Sequence, residues 1–252
     1  MRDFTSSAYR ALLEAAAENY RVEPMRALCG SPSLRNVLTI RHDVDRRPQL
    51  TLRCARIAAE VGVRGTFYFR IPYTFQPSVI RELVDLGHEV GYHYEVLTKS
   101  RGNMDKALCM FADELELLRE VAAVDTASMH GAPLGRWNNL DIWKSATPEE
   151  FGLQGEAYVS IDWSDTFYVT DTGRGWNRPG VSVRDVAGGR GRRPFADTND
   201  LISSLRGGDL PERVVINVHP ERWVDSAILR MHDSALQWLK NHVKAVVVRH
   251  SQ

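Results

Sequence analysis

The sequence predicts an α/β fold with parallel strands, in a sheet or a barrel, and three observations carry that prediction. Short β-branched or aromatic runs alternate with longer stretches that repeat apolar residues at helical spacing. Polar clusters fall where those short runs end, and 252 residues with 43% apolar content can bury one large core.

Phe4, Ala8, Leu12, Ala15 and Asn19 share one face, so the spacing predicts an amphipathic helix over 4–20 that precedes the main fold. Strand-like runs follow at 37–41, 65–70, 88–92 and 125–129. Between them Leu50, Cys54, Ile57, Ala58 and Val61 stripe a helix that starts at Pro48 and ends at Gly62. Ile80, Leu83 and Val84 stripe a second that ends at Gly87, and Leu108, Phe111, Leu115 and Leu118 a third. After about residue 130 aromatic and glycine-rich sequence interrupts the rhythm, until RVVINVH (213–219) restores a buried strand. Ile228, Ala235, Leu239 and Val243 predict a closing helix. The segment 171–193 carries six glycines and six arginines with little periodicity. It reads either as a surface loop or as a lid offering arginines to an anionic substrate. One domain over 1–252 is expected, with 1–36 as a helical N-terminal extension.

Basic and acidic residues both number 32, so there is no global electrostatic footprint for nucleic acid. The chain does not open on a basic stretch followed by an apolar one, and no window approaches about 18 uninterrupted apolar residues. No transmembrane segment and a cytoplasmic location are expected. Cys29, Cys54 and Cys109 lack C-x-x-C spacing, which argues against both a disulfide framework and a thiolate zinc site.

Four polar clusters sit at strand ends: His42-Asp43-Val44-Asp45, His93-Tyr94-Glu95, His130-Gly131 and His219-Pro220. In an α/β barrel the carboxyl ends of the strands converge on one face, so the clusters become neighbours there. Carboxylates with imidazoles suit both a divalent metal and acid–base catalysis. His88, His232, His242 and His250 have no acidic partner at ligand spacing and read as structural.

The stretches LTIRHDVDRRP, GTFYFR, LGHEVGYHYEVL, MHGAPLG, YVTDTGRGW and VINVHPERW together resemble the polysaccharide deacetylase-like superfamily. That superfamily is also called the NodB-homology or family-4 carbohydrate esterases, and the likeness is greatest to its divergent WbmS-like branch, associated with surface-polysaccharide biosynthesis. The resemblance covers most of 37–245 and implies a distorted, incomplete (β/α) barrel. It implies metal-dependent removal of an N- or O-acyl group from a sugar, with zinc the expected ion. Asp43 then matches the catalytic base, Asp45 the aspartate ligand, His93 a histidine ligand and His219 the general acid. The second ligand histidine would fall on Leu97, which cannot ligate. His130 or Glu95 could complete a three-ligand site, and the imidazole of His130 is the favoured replacement, with Glu95 touching substrate or orienting a ligand.

Arg70, Glu95, Tyr168, Asp171 and Trp176 are the expected substrate contacts; for Arg70 an ion pair with Asp43 or Glu95 is an equal expectation. The expected substrate is an acylated sugar, a nucleotide-activated sugar or a lipid-linked glycan. Two other readings stay open: a carbohydrate-binding barrel without catalysis, and an amidohydrolase acting on a small non-sugar amide.

Overall fold

The computed structural model describes residues 2–131, 136–177 and 193–226. The predicted closing helix, with His232, His242 and His250, lies outside the described residues, as do residues 178–192 of the Gly/Arg segment.

Among the described residues eight strands form one sheet in which every ladder is parallel. In chain order they are β1 (Arg21–Val22), β2 (Val37–Val44), β3 (Thr66–Phe69), β4 (Glu89–Tyr94), β5 (Val124–Met129), β6 (Gly155–Glu156), β7 (Phe167–Thr170) and β8 (Arg213–Val218). The spatial order is β6-β5-β4-β3-β2-β8-β7, with β1 beside β2. The sheet is an incomplete barrel, since among the described residues no ladder joins β6 to β7.

Its curl is visible in contacts that a flat sheet would forbid. β6 and β2 lie four strands apart, about 19 Å at the usual spacing, yet Arg41 Nη2 of β2 donates to the hydroxyl of Tyr158, just past β6, at 3.1 Å. Tyr68 of β3 reaches over β4 to bond Thr126 of β5 at 2.8 Å. Gly91 makes that crossing possible: a Cβ there would lie 2.3 Å from the Tyr68 ring. Where a closed barrel would have a ladder, Trp163 bridges Tyr158 and Tyr168, with ring centroids 6.5 Å and 5.5 Å away.

The helices that cover the sheet begin and end where their sequences dictate. α1 (Ser6–Asn19) is capped by Thr5, whose hydroxyl accepts from Ala8 N, and buries Ala8, Tyr9, Leu12 and Leu13. α2 (Met25–Gly30) is short. α3 (Pro48–Val61) opens on proline and closes on Gly62 at φ 82°, a left-handed conformation that glycine adopts without Cβ strain. α4 (Pro77–Asp85), α5 (Val96–Lys99), α6 (Met104–Arg119) and α7 (Thr198–Gly207) follow. The three predicted crossover helices are therefore present. Sequence patterning missed β1, α2, β6, β7 and α7, which are short or carry little periodicity. The predicted 4–20 helix does not stand apart from the main fold: α1 packs on α3 and α7, and β1 extends the sheet.

Candidate active site

Along each strand alternate side chains face the barrel interior, and that period of two builds the site. Arg41 and Asp43 of β2, with Asp45 just beyond it, point inward, while His42 points outward. The buried His42 ring stacks on Phe67 with centroids 3.8 Å apart. Its Nδ1–H donates to Thr66 O at 3.0 Å, and Nε2 accepts from the Tyr9 hydroxyl at 2.6 Å. Burial pushes its pKa down to about 3, so it is a neutral core residue. His42 thus leaves the polar cluster in which the sequence placed it. His88 is structural, as expected, bonding Gly65 N and Ala55 O.

Asp45, His93, His130 and His219 converge at the carboxyl ends of β2, β4, β5 and β8. The Nε2 atoms of the three imidazoles face one carboxylate: His93 lies 3.5 Å and His130 3.7 Å from Asp45 Oδ1, and His219 lies 3.9 Å from Oδ2. Each ring is fixed from behind through Nδ1. His93 donates to Ser128 O at 2.9 Å, His130 to the Glu95 carboxylate at 2.8 Å and His219 to Asp171 at 2.6 Å. For His93 and His130 this network places a hydrogen on Nδ1 and turns Nε2 toward Asp45. Either a proton on one Nε2 or a bound cation would balance the Asp45 carboxylate at this meeting point. Asp45 Oδ1 is buried without a hydrogen-bond partner among the described residues.

The donor types are those a divalent cation takes: one carboxylate and two oriented imidazoles, each held by an outer acceptor. Donor atoms around a tetrahedral ion with 2.0–2.1 Å bonds stand roughly 3.3–3.4 Å apart, close to the two Asp45 Oδ1 separations. Among the described residues no group of three or more His, Cys, Asp or Glu is spaced, as the side chains stand, to hold a metal ion. Binding would therefore draw the three side chains together. Burial opposes ionisation of Asp45, but His130, His93 and His219 outweigh it and hold the carboxyl well below its ordinary value.

Asp43 sits beside this group, with Oδ2 3.9 Å from His93 Nε2. Arg41 grips it bidentately, Nε to Oδ1 at 2.8 Å and Nη2 to Oδ2 at 2.9 Å, and Asn217 Nδ2 donates to Oδ2 at 3.0 Å. Burial would raise the Asp43 pKa, yet Arg41, His93 and His219 hold it at about 2, so the group is ionised throughout the neutral range. His219 shows the complementary balance: burial and Arg222 lower its pKa, while Asp171 and Asp45 raise it further, for a net upward shift.

Several expected substrate contacts are instead supports behind the site. Asp171 is fully buried; it accepts from His219 N at 3.1 Å, His219 Nδ1 at 2.6 Å, Arg222 Nη1 at 2.7 Å and Trp223 Nε1 at 3.0 Å. Trp176 is a core side chain packed near Phe4 and Trp223, with its indole N–H on Thr198. Tyr168 is buried, its hydroxyl accepting from Asn217 at 3.0 Å. Glu95 is buried between His130 and Arg70, and its contacts with both make it an orienting group. Arg70 forms the ion pair with Glu95, at 2.8 Å, that stood as its alternative reading. Leu97 is buried in α5 and ligates nothing.

Sequence reasoning missed Arg41, Asn217, Tyr158 and Glu221. Strand alternation could have found two of them, because Arg41 lies two residues before Asp43 and Asn217 two before His219. Glu221 is buried close enough to Asp45 that burial, with that neighbouring charge, raises its pKa.

The fold and site thus define an α/β half-barrel with carboxylates and imidazoles gathered at the carboxyl ends of its parallel strands. Among solved structures it is similar to wild-type BA3943 from Bacillus anthracis, described as a CE4 family pseudoenzyme, at 14% identity over 85% of this chain and 63% of that one, with a TM-score of 0.40. It is similar also to a BA3943 mutant described as having restored enzymatic activity, at 13% identity over 85% of this chain and 65% of that one, with a TM-score of 0.41. The chain spans about 65% of the length of these structures. No protein-family model and no curated protein matches the sequence. Among the described residues no helix is long and apolar enough to cross a membrane.

Proposed function

We propose that this protein is a metal-dependent hydrolase that removes an N- or O-acyl group from a sugar, in the biosynthesis of a surface polysaccharide such as an O-antigen-like glycan. The observation that carries the reading is the meeting of three Nδ1-anchored imidazoles on one carboxylate, with a separate aspartate, ionised throughout the neutral range, beside them. The sequence motifs that resemble polysaccharide deacetylases supply the substrate class. An acylated nucleotide-sugar or lipid-linked glycan is the expected form.

Asp45, His93 and His130 would hold the cation. Bound there, a divalent ion, zinc being expected, supplies Lewis acidity toward water and the acyl oxygen. Asp43 takes the proton of the attacking water, its carboxylate kept ionised and aimed by Arg41 and Asn217. Asp171 and Asp45 favour the imidazolium form of His219; with Nδ1–H held by Asp171, that form carries its second proton on Nε2 and delivers it to the departing sugar amine or alcohol. Asp171 is a positioning residue that also sustains the charge on His219.

The test is acetate release from N- and O-acetylated sugars, nucleotide-sugars and lipid-linked glycans. Turnover that a chelator abolishes and added zinc restores is expected; metal-loaded protein that releases no acyl group from any of them contradicts the proposal. A pH profile tests the acid. Asp171 raises the His219 pKa and so prolongs its protonated form toward higher pH. Asp171→Asn leaves Arg222 unopposed beside His219, so the alkaline limb of kcat/KM is expected to move to lower pH. An unmoved limb would remove His219 from the acid role.

A further inference from the structure

We infer that Arg70 and Glu95 are positioning residues that act through His130 to make it a cation ligand, an inference that rests on the metal-dependent reading above. His93 and His130 reach Asp45 by different means. His93 is anchored by a backbone carbonyl, Ser128 O at 2.9 Å, which the ladder between β4 and β5 holds in place. His130 lies one residue beyond β5, where its backbone N–H still bonds Tyr94 O at 2.8 Å but the ladder supplies no carbonyl to its ring. Its Nδ1 is held by a side chain, Glu95 Oε2, at 2.8 Å.

Glu95 is itself clamped. Arg70 Nη2 contacts both of its oxygens at 2.8 Å, and Arg70 Nη1 reaches Asp45 O at 3.4 Å. The Tyr73 ring covers the guanidinium, with its centroid 4.6 Å from Cζ. The contacts close a circuit: Asp45 carbonyl to Arg70, Arg70 to Glu95, Glu95 to His130, and His130 Nε2 back toward the Asp45 carboxylate at 3.7 Å. Three strand ends, β2, β3 and β5, are tied through the residue that follows β4. Arg70 balances the charge of Glu95, and Glu95 fixes both the tautomer and the direction of the imidazole. A carboxylate behind a ligating histidine typically changes metal affinity by about 10–100-fold.

The experiment measures zinc affinity by competition with a chromophoric chelator, the visible spectrum of the cobalt(II)-loaded protein, and the ¹⁵N spectrum of the histidine rings. Wild type, Glu95→Leu, Glu95→Gln and Arg70→Met are compared, each checked by thermal unfolding. Glu95→Leu is expected to weaken zinc binding by about 10–100-fold and to release His130 from the Nδ1–H tautomer. Glu95→Gln, which keeps an acceptor for Nδ1–H, recovers part of that loss, and Arg70→Met falls between them. A merely structural role would lower the melting temperature and leave the zinc affinity of the folded protein unchanged. Wild-type affinity with an unchanged His130 tautomer in Glu95→Leu overturns the inference. A wild type that binds no zinc overturns the metal-dependent reading itself, so the two failures are distinguishable.

Discussion

Asp43→Asn is expected to lower turnover by about 10²–10⁴-fold, the usual contribution of a positioned general base, while leaving cation affinity near that of wild type. Asparagine is isosteric and can still accept from Arg41, but it cannot take a proton from water. The separation of effects is what makes the substitution informative. Asp45, not Asp43, faces both His93 and His130 within 3.7 Å, so the cation should stay when Asp43 changes and leave when Asp45 changes. Steady-state turnover alongside metal titration checks both halves. Wild-type turnover in Asp43→Asn would show that another group receives the proton.

Arg41→Met is expected to destabilise the fold by about 3–5 kcal/mol, the cost of leaving a buried charge without its partner. The Arg41 side chain is 0% exposed and that of Asp43 6%, so water can replace little of the lost bond. The guanidinium also lies 4.6 Å from the Tyr158 ring centroid, which ties β2 to the loop that closes the half-barrel. Removing both charges in Arg41→Met/Asp43→Leu should cost less than Arg41→Met alone, because neither partner is then stranded. Urea unfolding at neutral pH measures both variants. A loss under about 1 kcal/mol in Arg41→Met would mean that the pair is not dry, and that Asp43 owes its ionised state to something other than Arg41.

Much of this architecture was legible in the sequence because local signals were strong. Pro48 and Gly62 bracket a helix whose bounds match the observed α3, and the β-branched run ending in Asp43 and Asp45 is β2. The convergence of Asp45, His93, His130 and His219 also follows from strand ends meeting on one face of a parallel barrel. The barrel closure was not legible. Trp163, Tyr158 and Tyr168 meet through long-range packing in a stretch without periodicity, and β6 and β7 are too short to show alternation.

The expected substrate contacts misled for a related reason. Asp171, Tyr168 and Trp176 are conspicuous beside a glycine-rich segment, yet each is buried, supporting His219, Asn217 and the core respectively. Sequence spacing names a residue's neighbours in the chain but not the depth at which its side chain ends. His42 shows this most simply. It adjoins Asp43, and the pleat sends it to the opposite face of the sheet.

Elemental analysis of protein purified without added metal tests whether Asp45, His93 and His130 hold a catalytic cation. A stoichiometric transition metal is expected in the wild type and is expected to be lost in Asp45→Ala and in His130→Ala. A wild type that stays metal-free even after incubation with zinc, cobalt or manganese would contradict it.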